Sequence, residues 1–301
     1  TGRGTRFALG VVTVAGTPNA RPASALFLPP ARGQWLGAWS GGPALTVPLG
    51  EVASGVIDGV VYVVGEGSDR TLAYDIATGT WDDTLAKRPF KGHHHAAEVW
   101  NGKWYLIGGL GSGSPGKVQV YDPATDQWTT GASMPWNGGS VATARIGGKI
   151  YASGGIVGST TVDDCAVYDI AANSWTPMAS MPAGKGRNHA ASGTDGKCFF
   201  VFGGRGLGSG AGNTVANGYA DVQVYDPATN TWRASFDPGS SLPPLPIGRG
   251  GTGKAVFHEG RFHVFGGETL TGPGAKPGNV YDRVDVYDPV TNSWSLEAPM
   301  T

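Results

Sequence analysis

A tyrosine-aspartate pair, with tryptophan seven residues after the tyrosine, recurs along this chain and limits its fold more than any other feature. The copies are Tyr74-Asp75 to Trp81, Tyr121-Asp122 to Trp128, Tyr168-Asp169 to Trp175, Tyr225-Asp226 to Trp232 and Tyr287-Asp288 to Trp294. Fixed internal spacing marks a repeat architecture, in which each copy is one supersecondary unit and neighbours bury each other's apolar faces. Upstream of each pair lies an apolar run ending in small residues, at 105–109, 151–155, 200–204, 263–267 and 62–65, where Glu66 replaces a second glycine. A tight-turn pair stands before each run: Asp58-Gly59, Asn101-Gly102, Gly147-Gly148, Asp195-Gly196 and Glu259-Gly260. Two-residue hairpins need positive φ, which Asn, Asp and Gly tolerate best. Each repeat therefore predicts strand A, a hairpin, strand B, a glycine-rich loop, strand C ending in Tyr-Asp, a turn, and strand D opening at Trp.

A degenerate sixth copy stands at the N-terminus. Residues 11–16 occupy the place of a strand B, and the segment from Leu28 to Trp35 matches that from Tyr121 to Trp128 in spacing, with Leu28 for the tyrosine. The tryptophans Trp35, Trp81, Trp128, Trp175, Trp232 and Trp294 are then 46, 47, 47, 57 and 62 residues apart. With its paired glycines, Tyr-Asp and Trp, the chain resembles the kelch-repeat family over nearly its whole length, and the spacing fits that family's period of roughly 50 residues. The resemblance implies an all-β fold, a six-bladed kelch-type β-propeller of four-stranded blades forming a single unit over 1–301. The expected blades are about 1–48, 49–92, 93–136, 137–186, 187–248 and 249–301. A closed ring of blades leaves no lateral edge exposed. The resemblance also implies a blade completed from both chain ends, here 295–301 against 5–16.

Composition is consistent with this reading. Fifty-one glycines, 21 prolines and only 15% charged residues fit a turn-rich all-β chain, while ten each of Trp, Tyr and Phe argue against disorder. A net charge of −1 supplies no general field for nucleic acid or an acidic membrane surface. The longest apolar stretch, 7–16, is too short to span a bilayer, so a soluble chain is expected. The chain begins at Thr1 rather than Met, which suggests removal of a signal peptide or an upstream domain. Low charge and abundant Gly, Thr, Ser and Asn lead us to expect an extracellular or cell-surface location. Two cysteines, Cys165 and Cys198, do not make a disulfide scaffold and are expected as small apolar residues.

Most of the repeated residues are scaffold. The Trp and Tyr residues are expected to pack blade against blade. The string Gly203-Gly204-Arg205-Gly206 is no phosphate loop, because no helix follows it. Residues that break the repeat are more informative. With strand A innermost, one face of the disc collects the start of every strand A and every loop from B to C. These positions hold Glu51, His93, His94, His95, Asn137, Arg187, Asn188, His189 and Arg249, and the loops add Glu66, Arg70, Arg205 and Glu268. We expect a polar ring at a channel mouth, with Glu51, His93, His95, Asn137, Arg187, His189, Arg205, Arg249 and Glu268 as ligand-binding residues. The enlarged loops 205–219 and 268–281 would rise beside it.

The function expected first is a binding module, monomeric in itself though open to being part of a larger protein or assembly, that takes a protein segment or an acidic glycan. Arg187, Arg205 and Arg249 would pair anionic groups. The alternatives are a sugar-processing enzyme of lyase or mutarotase type, and a metal held in the same funnel. Strand alternation puts His93 and His95 on one face, where His189 could complete a metal site. No cofactor is otherwise expected. The family resemblance extends to the propellers of copper radical oxidases such as galactose oxidase, whose site needs a Tyr-Cys cross-link. Cys198 falls at the edge opposite the funnel and Cys165 on a strand away from the axis, so no such site is expected here.

Overall fold

The computed structural model describes residues 39–206, 218–269 and 279–300. They form five four-stranded antiparallel sheets, each built in chain order from its inner to its outer strand. Blade I holds β1 (Ala53–Ile57), β2 (Val60–Val64), β3 (Leu72–Asp75) and β4 (Thr80–Asp82). Blade II holds β5 (Ala96–Trp100), β6 (Lys103–Ile107), β7 (Val118–Asp122) and β8 (Gln127–Gly131). Blade III holds β9 (Ala142–Ile146) and β10 (Lys149–Ser153), a small ribbon of β11 (Ile156–Val157) and β12 (Thr160–Thr161), then β13 (Cys165–Asp169) and β14 (Ser174–Pro177). Blade IV holds β15 (Ala191–Thr194), β16 (Phe199–Phe202), β17 (Val222–Asp226) and β18 (Thr231–Ala234). Blade V holds β19 (Val256–His258) and β20 (Arg261–Phe265), a ribbon of β21 (Glu268–Thr269) and β22 (Asn279–Val280), then β23 (Val284–Asp288) and β24 (Ser293–Glu297).

The turn chemistry sets these strands. Asp58-Gly59, Asn101-Gly102 and Glu259-Gly260 all have positive φ at both residues, the backbone of a type I′ hairpin. Between strands C and D, the Tyr-Asp aspartates accept backbone N–H groups: Asp75 from Ala77 and Thr78, Asp226 from Ala228. The last residue of each of these turns is left-handed, at Gly79, Asp126, Asn173, Asn230 and Asn292.

The core lies between blades. Tyr62 and Val64 of blade I meet Trp104, Leu106 and Tyr121 of blade II. Ile107 and Val118 meet Ile150 and Tyr168, Tyr151 meets Phe199 and Tyr225, and Phe200 and Phe202 meet Phe262 and Tyr287. Each such buried aliphatic or phenylalanine side chain contributes roughly 1.5–3 kcal/mol by leaving water. Polar bonds reinforce the packing. The indole Nε1 of Trp128, Trp175 and Trp232 donates to the carbonyl of Ala86, Ala132 and Ala179, just beyond the outer strand of the preceding blade, at 3.1, 2.8 and 2.8 Å.

Five blades, not six, lie within the described residues; the copy expected over 1–48, with Leu28 and Trp35, falls outside them except for its end. Residues 295–297 belong to β24, paired with β23 in blade V, and the segment 5–16 against which they were expected to close lies outside the described residues. The two ends of the described chain meet, through Trp39 Nε1 donating to Ala298 O at 3.0 Å and the Trp39 ring standing edge-on to Phe265. From there the N-terminal segment reaches blade I, where Leu45, Val47 and Leu49 pack on Val61, Val63 and Leu72.

Candidate functional site

Each inner strand is approached through one local device. A backbone bridge ties the chain to the residue that follows the glycines of strand B: Gly50 to Glu66, His93 to Leu110, Gly139 to Ile156, Asn188 to Arg205 and Gly250 to Glu268. The next residue is left-handed in all five blades: Glu51 (φ 44°), His94 (57°), Ser140 (56°), His189 (53°) and Gly251 (67°). A non-glycine residue in this region is strained by about 1–3 kcal/mol, and such strain clusters at functional sites. All five line one cavity of about 560 Å³ at the channel mouth, with Arg205 and Glu268 beside them.

The channel below is crossed by a polar knot. Lys254 Nζ of blade V contacts Glu98 Oε1 of blade II and Thr143 O of blade III, each at 2.5 Å. Thr143 Oγ1 donates to the same Glu98 oxygen at 2.7 Å, and Ser192 Oγ of blade IV donates to Thr143 O at 2.9 Å. Four blades are thus stitched across the axis.

At the mouth, Glu51 Oε2 stands 3.2 Å from His94 Nε2, and the rings of His94 and His189 meet edge to face with centroids 4.7 Å apart. Burial pushes the His94 pKa down to about 4, with His93 and Arg205 adding to the shift. Burial and Arg205 likewise hold His189 well below the ordinary histidine range. Both imidazoles are therefore neutral near pH 7. Burial, then the nearby Glu268, raises Glu51 above the usual carboxylate range. Ligand atoms of Glu51, His94 and His189 all lie within 4.8 Å of one another.

The expected residues divide into three groups. Glu51, His189, Arg205 and Glu268 line the cavity, the last two as an ion pair at 2.5 Å. His93 contacts His94 through their Nδ1 atoms and lies 3.9 Å from Glu66, at the edge of the group; Asn137 is exposed in the turn before β9 and does not line the cavity.

His95 also lines the cavity, but its polar atoms, like those of Arg187 and Arg249, serve the scaffold. His95 Nδ1 donates to Gly108 O at 2.7 Å and its Nε2 accepts from Arg88 Nη1 at 2.7 Å. Arg187 and Arg249 have side chains 0% exposed. Arg187 donates to Gly203 O and pairs with Asp221, while Arg249 donates to Gly266 O and pairs with Asp285. Their length lets them reach back from the strand start to glycine carbonyls. The expected metal trio of His93, His95 and His189 is accordingly not brought together. Alternation fails because the left-handed φ of His94 ends the strand geometry, and β5 begins only at Ala96.

Sequence reasoning placed His94 in the polar ring without naming it among the ligand-binding residues, and it passed over Ser140, Lys254, Thr143 and Glu98. A signal for His94 and Ser140 was present: Glu51, His94, Ser140 and His189 each stand two residues before an alanine that opens an inner strand. Cys165 is buried between blades III and IV with its thiol pushed up to about 12, Cys198 packs partly buried between IV and V, and neither lines the cavity.

The Kelch motif family matches residues 91–135 and 139–182. Kelch-like protein terF of Aspergillus terreus is 30% identical over 292 residues, covering 88% of this chain and 60% of that protein. Kelch-like protein 15 of Danio rerio is 30% identical over 271 residues, covering 83% of this chain and 34% of that protein. The chain thus spans less than two thirds of the length of these relatives. A solved structure titled "Structure of YjhT" superposes with a TM-score of 0.67 at 19% identity, covering 83% of this chain and 84% of that one, which is a likeness of fold. With its four-stranded blades and its paired glycines, Tyr-Asp and Trp in register, the chain belongs to the kelch-repeat β-propeller family.

Proposed function

We propose that this chain is an interaction module that receives a segment of a protein partner at the channel mouth. The observation that carries the reading is the ring of left-handed residues: four non-glycine residues are held in strained backbone and brought to the lining of one open cavity. A concave site with a few convergent polar groups is the default place for recognition.

A protein segment is favoured over an acidic glycan by charge. Of the arginines meant to pair anions, Arg187 and Arg249 are committed internally and Arg205 is held by Glu268. Glu51 and Glu268 line the cavity, the bridge residue Glu66 lies near His93, and the His94 and His189 imidazoles are neutral, a lining suited to hydrogen-bond donors and a basic side chain. The lyase or mutarotase alternative, which needs a free arginine beside histidine, loses support for the same reason.

The proposal includes a sixth blade. Trp81 Nε1 donates to Pro43 O at 3.3 Å, as the other repeat tryptophans donate to carbonyls just beyond the preceding outer strand. Pro43 lies eight residues after Trp35, as Ala86 lies five after Trp81, so the described end of the N-terminal copy offers Trp81 the kind of carbonyl that each preceding blade offers its neighbour.

Panning of a displayed random-peptide library, in parallel with an acidic-glycan array, tests the reading. Basic peptides should be retained by the wild type and by Val290→Lys on the opposite face, and lost with Glu51→Lys plus Glu66→Lys. Glycan binding without peptide binding, or peptides indifferent to the double change, would overturn it.

A further inference from the structure

We propose that Glu51, His94 and His189 form a binding site for a divalent first-row transition ion such as zinc at the channel mouth. This goes beyond partner recognition and does not depend on it. The three residues come from three different blades, and each is placed by the same left-handed turn. Two imidazoles and one carboxylate form a donor set that suits zinc or iron(II) and leaves coordination positions open.

The geometry is close to what such an ion requires. Ligands about 2.0–2.1 Å from a tetrahedral ion lie roughly 3.4 Å apart. Glu51 Oε2 and His94 Nε2 are already 3.2 Å apart, and the third ligand atom lies within 4.8 Å of the others. A small rotamer adjustment of His189 would close the site.

The surrounding shell also prepares the ligands. Asn188 Nδ2 donates to Thr161 Oγ1 at 2.6 Å, which turns Asn188 Oδ1 toward His189 Nδ1. That oxygen is an acceptor, so His189 carries its proton on Nδ1 and keeps the Nε2 lone pair for a ligand bond. Ser140 Oγ, 3.0 Å from the same Nδ1, also accepts the His189 backbone N–H at 3.1 Å and fixes the residue from a neighbouring blade. Outer partners of this kind set the tautomer and orientation of metal-binding histidines. On His94, Nδ1 is engaged by His93, which leaves Nε2 facing Glu51. The remaining coordination positions would open into the cavity, the arrangement of sites that accept a further ligand rather than of closed structural ones.

The test is calorimetric titration of the tag-free, chelator-treated protein with zinc chloride, with no peptide present, alongside elemental analysis. We expect one zinc per chain, at least tenfold weaker binding in His94→Ala, His189→Ala and Glu51→Gln, and unchanged binding in His258→Ala at the opposite edge. Each variant is melted without metal, so that a fold defect is recognised. Should a variant unfold, the visible spectrum of the cobalt-substituted wild type decides: intense bands of low-coordinate cobalt with nitrogen and oxygen donors support the site. No zinc uptake, or uptake indifferent to His94 and His189, would overturn it. Because peptide panning runs in chelator, failure here leaves the interaction reading standing, and the reverse also holds.

Discussion

The Tyr168 hydroxyl donates to Asn173 Oδ1 at 2.6 Å, and the same oxygen accepts the backbone N–H of Ala132, in the preceding blade, at 2.7 Å. Tyr225 and Asn230 repeat the arrangement toward Ala179, and Tyr121 and Asp126 toward Ala86. Blade I has Gly79 at the corresponding place and therefore lacks this side-chain link. Asn173→Gly keeps the left-handed backbone and removes two hydrogen bonds. It should lower stability by about 1–3 kcal/mol in urea unfolding. No loss would mean that the latch is ornamental.

Trp128 joins the same seam through packing on Trp104 and Tyr121 and through its bonds to Ala86 O and Thr71 Oγ1. Trp128→Ala should cost about 3–5 kcal/mol, as for other large aromatic truncations. A loss below about 1 kcal/mol would contradict its role between blades.

Arg249 pairs with Asp285 at 2.8 Å where both side chains are fully buried. Arg249→Met should destabilise the fold by about 3 kcal/mol, because a buried carboxylate loses one of its cations. Arg283, 2.6 Å from the same carboxyl, limits the cost. Unchanged thermal stability with lost ligand binding would return Arg249 to the binding site.

Burial, then the adjacent Arg88, pushes the His95 pKa down to about 4 from 6.5. The unfolded chain takes up this proton below the higher value and the folded chain only near the lower one. His95 therefore contributes stability that is whole above pH 6.5 and is lost as pH falls toward 4. Between about pH 7.5 and about pH 5 the wild type should lose about 2 kcal/mol through this group. His95→Gln, though less stable at neutral pH, should show a correspondingly shallower dependence in urea unfolding. Equal slopes would place the His95 pKa near its ordinary value.

Much of the fold was legible because its determinants are local. Asp58-Gly59 and Asn101-Gly102 announce their hairpins, and Tyr-Asp with Trp marks the outer strands. The site was legible in part. Glu51 and His189 follow from their place before an inner strand, and Arg205 and Glu268 from the loop after the glycines. The role of His94 was hidden because its positive φ breaks the strand alternation assumed for three adjacent histidines and brings His94 to Glu51. The internal bonds of Arg187 and Arg249 were not legible because a strand-start arginine has the same sequence context whether it meets solvent or folds back onto a glycine carbonyl. The Lys254 to Glu98 contact joins residues 156 positions apart, and only closure around the axis brings them together.

The central claim, recognition at the mouth, is tested most directly by hydrogen–deuterium exchange with and without a saturating peptide recovered by panning. The account predicts slowed exchange at 50–54, 93–97, 139–143, 188–192 and 250–254, the segments that carry the left-handed ring into the inner strands. Protection confined to the hairpins at Asp58-Gly59, Asn101-Gly102 and Asp195-Gly196, on the opposite edge, would contradict it.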